Sequence, residues 1–375
     1  EFLALEDAWR ALLERAGVTH PFLEHAWART WWECFGSGSR LYVIVVGEGD
    51  APIAIAPLII TPVRMFGIRL RRLGFFYNSH VPRADFILTK RKDEALAAIW
   101  NTIRASKQWD VLQLCQLTED SETLAGMRKH AAADQYPTGL WKSGASPRVP
   151  LHAGWDAYHQ GLPAKHRSNL RNRFKRLDQI GAVELDTVSG GDRRRESLEH
   201  GLRLESAAWK GANGTAIFSD PAITRFYEVF SERAAERGWL RLNFLRAGGT
   251  AVAFDYSLEY RNRIFLLKLG YDPQFSAYSP SNLLLATALR NSFERGLEEY
   301  DFLGEEAEWK RCWTDDTRSN FWLYIFRPSL RAKFAHFIKF RLNPWMKANP
   351  LLQRIRAAAA NAVKRVSNRY GNSNR

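Results

Sequence analysis

The order of structural periods between residues 239 and 304 constrains this chain of 375 residues more than any other feature. Three β-rich runs follow in quick succession, Leu240–Ala247, Thr250–Glu259 and Arg263–Leu269, separated by Gly248-Gly249 and Arg261-Asn262. Both dipeptides are hairpin material. A loop of small and polar residues then enters a helix over about 281–295, and a short strand follows at Tyr300–Leu303. Strand and helix periods that alternate in this way predict a mixed α/β architecture.

The rest of the chain repeats the theme. Helices are expected at Leu3–Ala16 and around 21–32. Strand-like runs follow at Arg40–Val46 and Pro52–Thr61, split by Gly47-Glu48-Gly49-Asp50. Further strands are expected at Leu70–Tyr77, Asp85–Leu88 and Asp110–Leu117, with a helix at Asp93–Ser106. After Pro150 come helices near 165–181, 194–210 and 221–237, with strands at Val183–Val188 and Asn320–Phe326. Two similar rounds of hairpin, helix and strand suggest two related lobes, 1–150 and 151–327, with a helical tail over 328–375. With 14 Trp and 22 Phe the chain can bury a sizeable core.

The net charge of +14 suggests nucleic acid until it is located. Residues 317–375 hold 13 Lys and Arg and no Asp or Glu, which leaves 41 basic against 40 acidic side chains in the other 316 residues. The body is close to neutral and the basicity belongs to the tail. Cys34, Cys115 and Cys312 are distant and odd in number, unlike a disulfide or zinc framework, which points to a reducing, cytoplasmic setting. No apolar run is long enough to cross a bilayer, and Glu1-Phe2-Leu3-Ala4 does not open a secretory signal.

The best chemical signal lies where the strand ending Leu266-Leu267-Lys268-Leu269 runs through 270–281 into a helix. Amides at a helix N-terminus, aided by the helix dipole, suit phosphate oxygens. Ser279 or Ser281 is placed to cap the helix or bond a phosphate, and Pro280 suits a first turn. A capped helix with no ligand is the plainer reading. The loop is neither a Walker loop nor a GxGxxG fingerprint.

Three stretches in order resemble the Fem-like branch of the GNAT superfamily, and more narrowly the CelD-like acetyltransferases of polysaccharide clusters. They are Glu205-Ser206-Ala207-Ala208-Trp209-Lys210-Gly211 with Gly214-Thr215, then Gly270-Tyr271-Asp272 through Tyr278-Ser279-Pro280-Ser281, then Asp301-Phe302-Leu303-Gly304-Glu305 with Trp309-Lys310-Arg311-Cys312-Trp313. The resemblance implies two tandem GNAT-like lobes, with acetyl-CoA or another acyl-CoA as co-substrate. The donor would lie against Tyr271, Ser276, Tyr278, Ser279, Ser281 and Asn282, in the second lobe only.

Amine acylation needs a proton acceptor, so carboxylates come first. Glu305 follows a strand end and has Glu306 and Glu308 beside it; a solvated acidic turn is the alternative. Glu205 shares a helix face with Trp209, to line a pocket or to pack. Asp255 interrupts an apolar strand, and strand alternation favours a solvent-facing side chain over a cleft wall. Trp209, Lys210, Lys310 and Trp313 are candidates for the acceptor site. Lys165, Arg167 and Arg171 lie in a run of six Lys and Arg without an acid over 165–176, suited to phosphates or to a solvated helix face. His152, His159 and His166 recur every seven residues, but Pro163 breaks the helix between them, so no metal is expected.

In the tail, Leu330, Phe334, Phe337 and Ile338 recur at helical spacing among Lys and Arg, and a second basic helix is expected at Leu351–Val366. The tail either docks on the second lobe or lies on an anionic membrane. The sequence therefore reads as an N-acyltransferase acting on an amine, with an amino sugar as one acceptor class. The rivals are a Fem-type transferase drawing on aminoacyl-tRNA and a non-catalytic binding or scaffold protein.

Overall fold

The computed structural model describes residues 1–48, 51–207 and 217–349. Its strands are β1 Arg40–Leu41, β2 Ile44–Glu48, β3 Ala51–Ala56, β4 Leu58–Met65, β5 Ile68–Phe75, β6 Ile87–Leu88, β7 Val111–Thr118, β8 Thr138–Pro150, β9 Val183–Val188, β10 Leu240–Ala247, β11 Thr250–Tyr260, β12 Arg263–Tyr271, β13 Glu299–Asp301 and β14 Thr317–Phe326. Eleven of them form one mixed sheet in the order β1-β4-β5-β7-β14-β8-β13-β12-β11-β10-β9, and β2-β3-β6 form a small second sheet.

The same unit occurs twice. β4 and β5 are an antiparallel hairpin, the helix Lys92–Ala105 crosses over, and β7 returns parallel to β5. β11 and β12 are likewise antiparallel, the helix Pro280–Glu294 crosses over, and β13 returns parallel to β12. Each unit is then closed by a strand from the other half of the chain: β14 borders β7, β8 borders β13, and the two pair with each other at the centre. This exchange fuses both lobes into one sheet.

Several sequence expectations need correction. The run from 52 to 61 is two strands in different sheets, because Pro57 has no N–H to carry a ladder onward. The run from 40 to 46 likewise divides into β1 and β2. β8 was not foreseen; its Gly, Ser and Pro content hides thirteen residues of strand. Nor were the helices Glu122–Ala133, capped by Ser121 Oγ on the Leu124 amide at 3.1 Å, and Trp155–Gly161.

The tail packs on strands from both lobes. Ala332 and Ala335 on the helix Leu330–Phe337 are buried against Leu70, Val111, Tyr324 and Phe326 of β5, β7 and β14. Phe340 fills the space above Gly139, where a Cβ would meet the ring at 2.3 Å. Small residues inside and an aromatic over a glycine let the helix lie close to the sheet. The expected helix over 351–366 lies outside the described residues.

Candidate functional site

The second lobe's sheet opens a gap by itself. β12 and β13 pair only at Arg263↔Glu299, Ile264↔Tyr300 and Phe265↔Asp301. β12 then runs on to Tyr271, while the other chain leaves the sheet through Leu303 and Gly304, both left-handed with φ 50° and 60°. The divergent segments face a cavity of about 260 Å³, lined by Leu267 and Lys268 from β12 and by Leu303, Gly304 and Glu305.

A left-handed buried leucine costs energy and persists only when its surroundings hold it. Two side chains do so here. Asp301 Oδ1 accepts from the Leu303 amide at 2.8 Å and from the Ser146 hydroxyl at 3.0 Å. Lys310, buried, donates from Nζ to the Leu303 carbonyl and to the Glu305 carbonyl at 2.9 Å. Asp301 is fully buried and also pairs with Arg83 of the first lobe and with Arg318 of β14 at 3.1 Å. Arg318 continues to Glu299 at 3.2 Å, and Arg148 joins Glu299 (3.0 Å) to Asp316 (3.1 Å). Burial alone would raise the Glu299 carboxyl, but Arg318, Arg83 and Arg148 hold it below its ordinary range. Three arginines and three carboxylates, with Lys310 beneath, thus fix the turn that carries Glu305, whose side chain is exposed at the cavity.

The opposite wall comes from the first lobe and the exchanged strands: Tyr77, His80, Gln116 of β7, and Asn320 and Trp322 of β14. Among the described residues, Asn320 Oδ1 and Trp322 Nε1 are buried without a hydrogen-bond partner. Both residues line the cavity, and an unpartnered buried acceptor and donor are costly, so a rotation of either side chain toward the cavity would gain a partner. His80 Nδ1 lies 3.4 Å from the Tyr227 hydroxyl, and Lys268 Nζ stands 5.5 Å from the Tyr227 ring centre. Burial, and then the Lys268 charge, bring His80 down to about 4, so it is neutral near pH 7.

β12 leads from this cavity to the phosphate candidate. Tyr271 is three positions beyond Lys268, roughly 10 Å of strand. A short 3-10 helix, Pro273–Tyr278, follows, opened by Asp272, which accepts from the Gln274 amide at 2.9 Å. The helix Pro280–Glu294 then starts with Ser279 left-handed at φ 47°, its hydroxyl not used as a cap. Ser276 is exposed, and Tyr271, Tyr278, Ser279, Ser281 and Asn282 are half-buried, so the bend is open to an incoming group. Gly270 lets β12 pass under the helix Arg193–Ala207: a Cβ there would lie 2.4 Å from Glu205 Cα.

The basic helix Ala164–Asp178 flanks this bend, with the Arg176 guanidinium 5.1 Å from the Tyr278 ring centre. Lys165 shares the Arg176 face by helical spacing, whereas Arg167 and Arg171 fall about half a turn away. Lys165 and Arg171 are exposed. Arg167 is half-buried, with Nε unpartnered among the described residues.

Other candidates fall elsewhere. Asp255, expected to face solvent, is wholly buried because β11 is covered on both faces. It accepts from Asn243 Nδ2 at 2.9 Å and Ser257 Oγ at 2.7 Å, and burial raises its carboxyl to about 7. Glu205 is also buried and accepts from the Ile217 amide at 3.2 Å. Neither lines the cavity. Trp313 is core, packed edge-on at 4.6 Å to His166, and Lys310 holds a turn from beneath. Trp209 and Lys210 lie outside the described residues. Burial pushes the Cys115 thiol up to about 12, which removes it as a nucleophile near neutral pH. Sequence reasoning missed Asp301, Arg83, Arg318, Lys268, Asn320 and Trp322, which pairing across long sequence distances brings together. The available signals were Asp301 and Lys268, which stand within the stretches quoted from the sequence but carry no role there.

Residues 164–311 match the profile of the acetyltransferase (GNAT) domain. No curated protein matches the chain. The crystal structure of FemX is similar at 14% identity and a TM-score of 0.58, over 84% of this chain and 96% of that one. The C-terminal domain of a putative lysylphosphatidylglycerol synthetase from Agrobacterium fabrum is similar at 11% identity and TM-score 0.53, over 89% and 95%. L-PGS from Bacillus licheniformis is similar at 14% identity and TM-score 0.53, over 88% and 95%. At such identities the structures speak for the fold alone. The second half of the chain carries a GNAT acetyltransferase domain, the domain of an acyltransferase.

Proposed function

We propose that this chain transfers an acyl group from acyl-CoA to an amine held in the cavity between the lobes. The observation that carries the reading is the parting of β12 and β13, which sets the Glu305 turn on one arm and the 271–282 bend on the other. The bend is open, begins a helix of fifteen residues and is flanked by Arg176, which fits the phosphates of a CoA. When bound, the co-substrate supplies a thioester whose C–S bond breaks as the new C–N bond forms.

The chain's own part is to orient the amine and move its proton. Asn320 Oδ1 accepts one amine N–H, which leaves the nitrogen lone pair directed away from that wall. Glu305, exposed on a turn fixed by Asp301 and Lys310, takes the surplus proton directly or through water. Trp322 Nε1 donates to an acceptor oxygen such as a sugar hydroxyl, so an amino sugar is the first acceptor class to try. The walls from His80, Tyr227 and Tyr77 limit water around the attacking nitrogen.

The test is calorimetric titration with acetyl-CoA, followed by thiol release with a panel of amino sugars and small amines. Glu305→Gln should lower kcat about 10²–10³-fold with little change in acetyl-CoA affinity. Absence of acetyl-CoA binding by the wild-type chain would sink the reading. A second reading rests on the exposed cations of the helix Ala164–Asp178: a Fem-type transfer from aminoacyl-tRNA. A shift of bulk tRNA at moderate salt, lost on Lys165→Ala/Arg171→Ala, would favour it.

A further inference from the structure

The tail helix that buries Ala332 and Ala335 turns the opposite way with Leu330, Phe334 and Phe337, which are 88%, 55% and 51% exposed. Positions i, i+4 and i+7 share one helical face, so the three form a stripe. The helical path continues through Ile338–Leu342 and Asn343–Ala348, where Trp345 is 59% exposed. Half-exposed Trp141 of β8 stands beside the tail, with Lys339 Nζ 5.0 Å from its ring centre. Contiguous large apolar side chains of this kind mark an interaction surface.

A groove of about 490 Å³ at the start of the same helix is lined by Arg64, Arg69, Arg71 and Arg331 above Val63 and Leu70. Its one carboxylate, Asp110, is already taken by Arg71 at 3.0 Å. Arg64 and Arg69 sit directly opposite each other on β4 and β5. Like charges in that register destabilise a sheet unless an anion lies between them. From Pro328 to Asn349 there are five Lys and Arg and no acidic residue.

We propose that this face docks on an anionic lipid bilayer. Leu330, Phe334, Phe337 and Trp345 enter the interfacial layer, and lipid phosphates sit at Arg64, Arg69 and Arg331. Nucleic acid would meet the charges but leave the Leu and Phe stripe against phosphate and water. A second copy would cover the stripe but bring two cationic faces together. A bilayer with acidic headgroups satisfies both chemistries at once. Among the described residues no helix is long and apolar enough to cross a membrane, so the contact is peripheral. None of this depends on the acyl-transfer reading.

The test is co-sedimentation of the full chain with vesicles of phosphatidylcholine alone and of phosphatidylcholine with an equal part of phosphatidylglycerol. Binding should be strong to the mixed vesicles, weak to the neutral ones, and should fall with added salt. Phe334→Ser/Phe337→Ser should lower partitioning on the order of tenfold or more, and Arg64→Ser and Arg69→Ser about fivefold each. Leu330→Ser, at a side chain almost fully in solvent, repeats the test where folding is not at stake; unchanged circular dichroism checks the others. Wild-type protein that ignores acidic vesicles overturns the proposal. So do stripe variants that bind like wild type, since residues beyond 349 would then suffice. A concentration-dependent dimer dissolved by Phe334→Ser would reassign the face to self-association. Loss of duplex DNA binding without loss of vesicle binding in the Arg variants would reassign it to nucleic acid.

Discussion

Asp301→Asn is the substitution that most directly probes how the cavity is built. It keeps the side-chain shape and an oxygen for the Leu303 amide and the Ser146 hydroxyl, but deletes the charge shared by Arg83 and Arg318. Arg318 retains Glu299 at 3.2 Å. The Arg83 side chain is 5% exposed and, among the described residues, forms no ion pair with another carboxylate. Removing one partner of a buried pair costs about 3–5 kcal/mol, mostly from the charge left behind. The Glu299 carboxylate nearby offsets part of this, which places Asp301→Asn near about 3 kcal/mol. A typical domain has about 5–15 kcal/mol in total, so the change would be plain in a urea titration followed by tryptophan fluorescence, with the slope unaltered.

Arg83→Met supplies the control. It leaves Asp301 with Arg318, so it should cost less, about 2 kcal/mol. The double variant removes both charges and should fall short of the sum of the singles by at least about 1.5 kcal/mol. Additive costs, or a loss below about 1 kcal/mol for Asp301→Asn, would show that the network does not support the turn and would refute the argument. The same variant should lower kcat for acyl transfer while leaving acetyl-CoA affinity near wild type, because the β12 arm is untouched.

Three further outcomes follow from other contacts. Lys310→Met removes the cation beneath the Leu303 and Glu305 carbonyls; it should cost about 1.5–3 kcal/mol and lower kcat with it, measured by thermal melts and thiol release. Gly270→Ala sets a Cβ against Glu205 backbone at 2.4 Å, which no rotamer relieves; a loss of about 3 kcal/mol or more is expected in urea, and a neutral result would contradict the close packing of that helix on β12. Asp255→Asn tests burial through pH. The folded carboxyl is raised from 3.8 to about 7, so its share of stability is whole below about pH 3.8, declines as pH rises, and is lost above about pH 7. The Asn variant should therefore match wild type near pH 4 and exceed it by on the order of 2–4 kcal/mol at pH 8.

Elements whose signals are local were legible in the sequence. The hairpins at Gly248-Gly249 and Arg261-Asn262 and the strand Val183–Val188 need only turn chemistry and period, and each lies where periodicity puts it. The bend before the helix Pro280–Glu294 was legible for the same reason, since Pro280 and the small residues before it are its cause. Glu305 was reachable because it follows a strand end. Asp255 was misread because alternation assumes one wet face, and β11 has none. β8 escaped because its glycines and prolines argue against strand, and pairing on both sides by β13 and β14 overrides that preference. The remaining wall residues carry no mark of their own: nothing around Asn320 tells that it lines a cavity whose other wall begins at residue 267.

That cavity exists where it does because of the strand exchange. If each lobe closed its own sheet, β13 would border a strand from its own half, and the first lobe would have no reason to approach the Glu305 turn. With β8 and β14 traded, Arg318 and Arg148 lie beside Glu299 and Asp301, Arg83 is brought in from the first lobe, and one buried network spans both. The same geometry brings Asn320 and Trp322 in across the gap that β12 and β13 leave open. Among the described residues only the second lobe has such a gap beside a basic helix and an open helix start, so binding of acyl-CoA should follow a stoichiometry of one per chain. Two equivalent sites in calorimetry would mean that the exchange closes both units alike, and the basic helix and open helix start would not distinguish the second lobe.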